Sequence, residues 1–218
     1  MPDIYGKQHR DLQERFETVN LADAVKANIV ASEIGDEHRG FIESRDMFFL
    51  TTIDHRGFPT CSYKGGSPGF IKVIDSKTIA FPSFDGNGMF LSMGNITLNN
   101  KIGMLLIDFE TPHRIRIHGE ASITHNDPLL QEFIGAELVI RVNIVDIFIN
   151  CPRYIHRYQR LDSSKYVPKA ECATPLPQWK RIDGLQDALP ERDKDIAARL
   201  GGTITPEEYG AMVMRGEA

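Results

Sequence analysis

Residues 62–74, SYKGGSPGFIKVI, and residues 86–100, GNGMFLSMGNITLNN, hold the side chains of this chain best suited to gripping a ligand. Ser, Tyr, Lys and Asn stand there among glycines, between short apolar runs that read as strands. Glycine has no Cβ, so Gly65-Gly66 followed by Ser67-Pro68-Gly69 lets the main chain turn sharply and approach a bound group closely. Close approach suits a flat, phosphorylated molecule. Main-chain N–H groups at a helix N-terminus, with hydroxyl and amide side chains beside them, hold a phosphate well, and Gly86-Asn87-Gly88 ahead of a helical segment offers that arrangement. Lys64 is the nearest formal positive charge. Turn and cap roles for Asn87, Asn95 and the glycines are the alternative reading.

Other chemistries have little to stand on. The chain has no Walker A loop, GxSxG elbow, HExxH helix or Rossmann GxGxxG after a strand. Its glycine cluster joins strands and opens no helix, so it lacks the context of a dinucleotide fingerprint. His113 and His118 lie five apart on a strand, on opposite faces, which makes a shared metal a poor reading. Cys61, Cys151 and Cys172 are widely spaced without a CxxC pair, so they read as free thiols.

Composition narrows the class. The 218 residues include 25 Lys and Arg against 30 Asp and Glu, a formal charge of -5, with the basic residues scattered and no stripe to meet nucleic acid. No apolar run approaches the roughly 20 residues that cross a bilayer. The start, MPDIYGKQHRDLQERF, carries no export or transit signal, so a soluble, cytoplasmic protein is expected.

The elements that position these residues follow from periodicity. Residues 9–45 read as three helical segments with charged faces, the last over 36–44. Strands are expected over 47–53, 60–64, 70–74, 78–81, 101–109, 114–124 and 137–149, with helices near 89–99 and after Asp127-Pro128. Short strands at regular intervals favour a barrel or sandwich. Over 114–124 the pattern alternates, placing Ile115, Ile117, Ala121 and Ile123 on one face and Arg114, Arg116 and His118 on the other. Residues 102–109 are apolar on both faces, as in a central strand covered on each side. At Val145-Asp146 the apolar phase slips, which predicts a bulge. Beyond Ile149 the pattern gives way to a linker or strap, then helical signals over 190–200 and a capping box at Thr205-Pro206-Glu207-Glu208.

With these elements placed, the order TTIDHRGFPTCSYKGG, GFIKVID, IAFPSFDGNGMFLSMGNI, NNKIGMLLIDFE and HRIRIHGEA resembles the pyridoxamine 5'-phosphate oxidase-like, FMN-binding split-barrel family, nearest to its flavin-nucleotide-binding branch. The resemblance covers residues 44–157. It implies a mainly β fold, a six-stranded antiparallel split β-barrel with flanking helices, and a homodimer with one FMN in each of two clefts between subunits. The implied organisation is a helical extension over 1–45, the barrel over 46–160, and a strap with helices over 161–218.

By the same resemblance, Ser62, Tyr63, Lys64 and Gly66 on and after the second strand contact FMN. Phe81, Pro82, Ser83, Asn87, Ser92 and Asn95 occupy the family's region for flavin and phosphate. Arg114 and Arg116 border the flavin ring and the subunit interface, where a guanidinium would stabilise negative charge on the reduced cofactor; a salt bridge to Asp108 or Glu110 is the plainer alternative. Tyr154 and Arg157 correspond to residues that reach the partner's cofactor, with packing as the alternative for Tyr154. Ser62 stands where the oxidases carry a phosphate-binding Arg, and their C-terminal Trp and Arg-Leu-His-Asp-Arg-like run is not reproduced. The implied activity is therefore that of an FMN-dependent oxidoreductase with a different small-molecule substrate, NAD(P)H being a candidate reductant. A non-catalytic flavin- or haem-binding module stays open, with His118 or His156 as the axial ligand in the haem case.

Overall fold

The computed structural model describes residues 3–218, which form two compact units, one ending at Asp162 and the other spanning Ser163–Ala218. In the first unit the strands, in chain order, are β1 (Val30–Ala31), β2 (Met47–Ile53), β3 (Pro59–Gly65), β4 (Lys72–Val73), β5 (Thr78–Phe84), β6 (Lys101–Asp108), β7 (His113–Thr124) and β8 (Ala136–Asn150). Helices α1 (Lys7–Arg15), α2 (Val19–Ile29) and α3 (Asp36–Ser44) precede β2, and α4 (Leu91–Leu98) lies between β5 and β6. All pairings between these strands are antiparallel, in the order β3-β2-β6-β7-β8-β5-β4, with β1 on β8. Six strands of seven residues or more make the barrel; the two-residue β1 and β4 are additions at its margins.

The alternation expected of β7 holds: Ile115, Ile117 and Ala121 are buried, while Arg116, His118, Glu120 and Ser122 face outward. Phe48, Leu50, Met104, Leu106 and Ile147 meet them from the neighbouring strands. Phe48 also packs edge-on to Phe81, with ring centroids 4.9 Å apart. The expected bulge is present, since β7 pairs His118 with Asp146 and then Gly119 with Ile144, leaving Val145 as the extra residue.

β6 differs from its expectation in one respect. It is central, between β2 and β7, and its Ile102, Met104 and Leu106 face is fully covered, whereas on the other face Ile107 is buried but Gly103 and Leu105 are half-buried. Residues 70–74 also form less strand than expected, with only Lys72 and Val73 paired. The segment after Asp127 is a 3-10 turn, Pro128–Glu132, in place of an α-helix.

Asp127 fastens that turn. Its buried carboxylate accepts from the Leu129 N–H at 2.9 Å and from Arg141 Nε and Nη2 at 2.6 and 2.9 Å. The Arg141 hydrogen bonds, followed by the Leu129 N–H and the guanidinium charge, hold its pKa below the ordinary carboxylate value against the opposing effect of burial. A depressed carboxylate adds stability that is present above the unfolded-state pKa and lost as pH falls through the folded-state one. Asp127→Asn should lower unfolding stability by about 1–3 kcal/mol at neutral pH and flatten the acid limb below about pH 4. Denaturant titrations of both proteins from neutral pH into the acid range check this.

In the second unit, α5 (Ile196–Arg199) and α6 (Pro206–Met214) follow three 3-10 turns, at Gln178–Arg181, Asp183–Ala188 and Glu191–Asp193. The capping box read from sequence is formed: Thr205 Oγ1 accepts from the Glu208 N–H and Glu208 Oε2 accepts from the Thr205 N–H. Lys180 is buried, with its ammonium 2.8 Å from an Asp193 carboxylate oxygen, and Ile182 bridges Ile204 in parallel. Among the described residues, no helix is long and apolar enough to cross a membrane.

Candidate functional site

β3 is an edge strand: one side pairs with β2 and the other presents unpaired main chain. Its residues alternate, so Cys61 and Tyr63 are exposed while Thr60, Ser62 and Lys64 turn to the side on which α4 sits. Ser62 Oγ lies 3.0 Å from Ser92 Oγ on α4. One helical turn on, the buried Asn95 donates through Nδ2 to Thr52 Oγ1 at 3.0 Å and to Thr60 Oγ1 at 3.2 Å, and the two threonine hydroxyls are 2.8 Å apart. These bonds clamp α4 to β2 and β3. Asn95 is thereby committed to positioning the helix. Thr52 and Thr60 escaped the sequence reading, although the alternation of MFFLTTI already turned Thr52 inward.

The loop ahead of α4 is shaped by local chemistry. Asn87 Oδ1 accepts from the Met89 N–H at 3.1 Å, Gly88 has φ +75°, and Phe90 adopts the left-handed conformation at φ +49° as the N-cap. Among the described residues no side chain caps the helix, and the first turn's N–H groups ahead of Gly94 have no intrahelical acceptor. The loop carries no Lys or Arg. Met89, Phe90 and Leu91 are exposed apolar residues.

Lys64 is half-buried, and among the described residues its ammonium makes neither a hydrogen bond nor an ion pair. Burial pushes its pKa down. An ammonium held in this way lacks a counter-charge, and a bound anion would supply one.

Several candidates have other duties. Phe81 is fully buried against Phe48, and Pro82 is buried opposite Val139. Ser83 is half-buried beside the irregularity that ends the β5 pairing. Gly66 does permit a close approach, but to the protein itself: a Cβ there would sit 2.4 Å from Phe70 Cγ.

The arginine candidates occupy the other face of the sheet. Register places Tyr63, Phe49, Leu105, Arg116 and Phe148 in one row across five strands, and Ile107, Arg114 and Asn150 in the next. The Arg116 guanidinium stands 5.6 Å from the Phe148 ring centroid. Arg114 Nη2 donates to the Cys151 carbonyl at 3.2 Å. Within one copy of the chain neither pairs with Asp108 or Glu110: Arg45 takes Asp108 at 2.8 Å, and the Glu110 carboxylate accepts from the Arg160 main-chain N–H. After β8 the chain folds back along the β6-β7 turn: Arg157 Nε donates to the Glu110 carbonyl, and Tyr158 packs edge-on to Phe109. Tyr154 is 89% exposed at φ +70°.

The candidates therefore form two groups. Ser62 and Lys64 lie with α4, whereas Arg114, Arg116, Tyr154 and Arg157 lie on or beyond β7 and β8. Three strand spacings, about 14 Å, separate β3 from β7, and the two groups use opposite sheet faces. A single copy of the chain does not bring them to one ligand.

Similarity to solved structures is broad but distant. A Lactobacillus delbrueckii protein named for pyridoxamine 5'-phosphate oxidase is 18% identical, covering 54% of this chain and 95% of its own, with a TM-score of 0.45. HupZ of Group A Streptococcus is 19% identical over 58% of this chain and 99% of its own, TM-score 0.44. An FMN-binding protein of Syntrophomonas wolfei is 13% identical over 64% and 97%, TM-score 0.44. No curated protein matches the chain. The family model described as pyridoxamine 5'-phosphate oxidase matches residues 34–150, more than half of the chain and the whole of the barrel. This chain belongs to the pyridoxamine 5'-phosphate oxidase family.

Proposed function

We propose that this protein binds FMN and acts as an FMN-dependent oxidoreductase on a small molecule, as a homodimer. The observation that carries the reading is Lys64: a half-buried ammonium without a partner among the described residues, in line with Ser62 on an edge strand, in a member of this family. Lys64, Ser62, Ser92 and the uncapped start of α4 would hold the phosphate, and the unpaired edge of β3 offers main-chain donors and acceptors to a flat ring. FMN supplies the hydride or electron transfer itself. The chain's own residues bind and orient it and tune its charge, with Arg114 and Arg116 placed to stabilise the reduced form.

The separation of the two groups supports a site completed by a second copy, with Arg114, Arg116, Tyr154 and Arg157 contributed from the other side. So does the half-buried row Phe49, Leu105 and Phe148, together with α1 and α2, which bury no residue and, with the α1 C-cap Phe16, expose Leu12, Leu21 and Val25. Helices of this length need tertiary packing to persist.

The test is direct. Protein incubated with FMN and passed through a desalting column should keep a stoichiometric visible flavin band, sediment as a dimer, and bleach anaerobically with NADH or NADPH. Colourless protein after FMN incubation would sink the reading, and a Soret band after haem incubation would favour the haem module.

A further inference from the structure

We propose that α2 docks its exposed face on the outer face of α4 in a second copy of this chain, reciprocally, and that this contact closes the ligand site between the copies. The closure rests on the FMN reading; the docking stands on the two surfaces.

α2 buries no residue. Leu21, Val25 and Ile29 recur every four residues and are exposed, with Ala24 and Asn28 exposed between them. The face carries no charge, because the two charged side chains of α2 are engaged elsewhere: Asp23 meets Arg10 of α1 at 2.8 Å and Lys26 meets Asp3 at 2.7 Å. Asn28 turns its amide back on its own helix, donating to the Ala24 carbonyl at 2.7 Å.

α4 presents a matching surface. Its inner side carries the buried Ser92, Met93, Asn95 and Ile96, while Leu91, Gly94 and Leu98 lie outside, continued by Met89 and Phe90 in the preceding loop. Residues 86–100 contain no charged side chain, in a chain of which 25% is charged. A Cβ at Gly94 would meet nothing within 4 Å, so its own chain leaves the middle of this face open. Glycine inside a helix costs about 0.5–1 kcal/mol relative to alanine, and its use on a surface is to let another backbone come close. Leu21 to Ile29 spans about 12 Å and Leu91 to Leu98 about 10 Å, so the two stripes match in length. With Ala24 set against Gly94, the axes can reach the separation of about 8–10 Å found between packed helices.

The occupant is a second copy because both surfaces belong to one chain and each is continuous with one half of the candidate site. α2 runs directly into β1, where Val30 pairs with Phe148, and Phe148 pairs with Arg116. α4 meets Ser62 through Ser92 at 3.0 Å. Docking α2 on the other copy's α4 therefore carries the Arg116 row toward Ser62 and Lys64, which one copy keeps on the opposite sheet face. Two reciprocal contacts close a two-fold dimer.

Sedimentation of the flavin-free, full-length protein tests the docking. Wild type should be a dimer at micromolar concentration. Gly94→Lys and Ala24→Glu, both at exposed helix positions, should each raise the dimer dissociation constant about tenfold or more with circular dichroism unchanged. The double variant sets Lys against Glu and should recover much of the loss. FMN affinity should fall in each single variant and return in the double. A positive charge added beside a phosphate site would by itself tighten FMN, so a fall in Gly94→Lys reads the loss of the second copy. A monomeric wild type, single variants as dimeric as wild type, or a double variant no better than either single overturns the docking. If wild type dimerises in this way but takes up no flavin, the docking stands and the FMN reading fails. If FMN affinity is unchanged while the dimer dissociates, the docking stands without its link to the site.

Discussion

Gly119→Ala should be among the most destabilising single-atom changes available in this barrel, costing about 3 kcal/mol or more. Gly119 lies where β7 meets the bulge of β8. A Cβ there would stand 2.4 Å from Val142 Cγ1 and 2.8 Å from the Asn143 carbonyl oxygen. The valine methyl could turn aside, but the carbonyl belongs to main chain already bent by the extra residue Val145, so relief means moving the β7-β8 ladder itself. A loss of this size lowers the thermal midpoint of a domain this long by about 6–12 °C. Gly40→Ala is the matched control. Gly40 sits inside α3, and a Cβ there would meet nothing within 4 Å, so the same change should stabilise by about 0.5–1 kcal/mol. Chemical denaturation of the three proteins measures both signs, and equal effects at the two glycines would refute the account of the bulge.

The second large effect is expected at Lys64. Lys64→Met should weaken FMN binding by about tenfold to a hundredfold while changing riboflavin binding by less than about threefold, because only FMN brings the phosphate that the ammonium would meet. The stability of the flavin-free protein should move the other way. Burial lowers the Lys64 pKa, so between the folded value and the ordinary lysine value of about 10.4 the unfolded chain binds the extra proton. Stability of the flavin-free protein therefore rises with pH through that alkaline window, and methionine should both flatten the rise and raise stability at neutral pH. Flavin fluorescence titration gives the first result and pH-dependent denaturation the second. Equal losses for FMN and riboflavin would remove Lys64 from the phosphate site.

Ser92 and Asn95 show where sequence reasoning stops. The polar character of Ser92 and Asn95 is visible in the sequence, but a hydroxyl or amide that could bind phosphate is equally able to bind protein. What decides between them is the position of Thr52, Thr60 and Ser62, brought from distant strands.

The sequence by itself determined the six long strands, the inward face of β7, the bulge at Val145, the capping box at Thr205 and the family. Each of these is written in local periodicity, in turn and cap chemistry, or in the order of short motifs, all of which act over a few residues. Tertiary structure alone decided that Asn95 clamps a helix, that Gly66 makes room for Phe70, that Lys64 keeps its charge without a partner among the described residues, and that the two candidate groups lie on opposite faces of one sheet. Those outcomes depend on which residues from far along the chain arrive beside each group, and the composition of a segment does not encode its neighbours across strands.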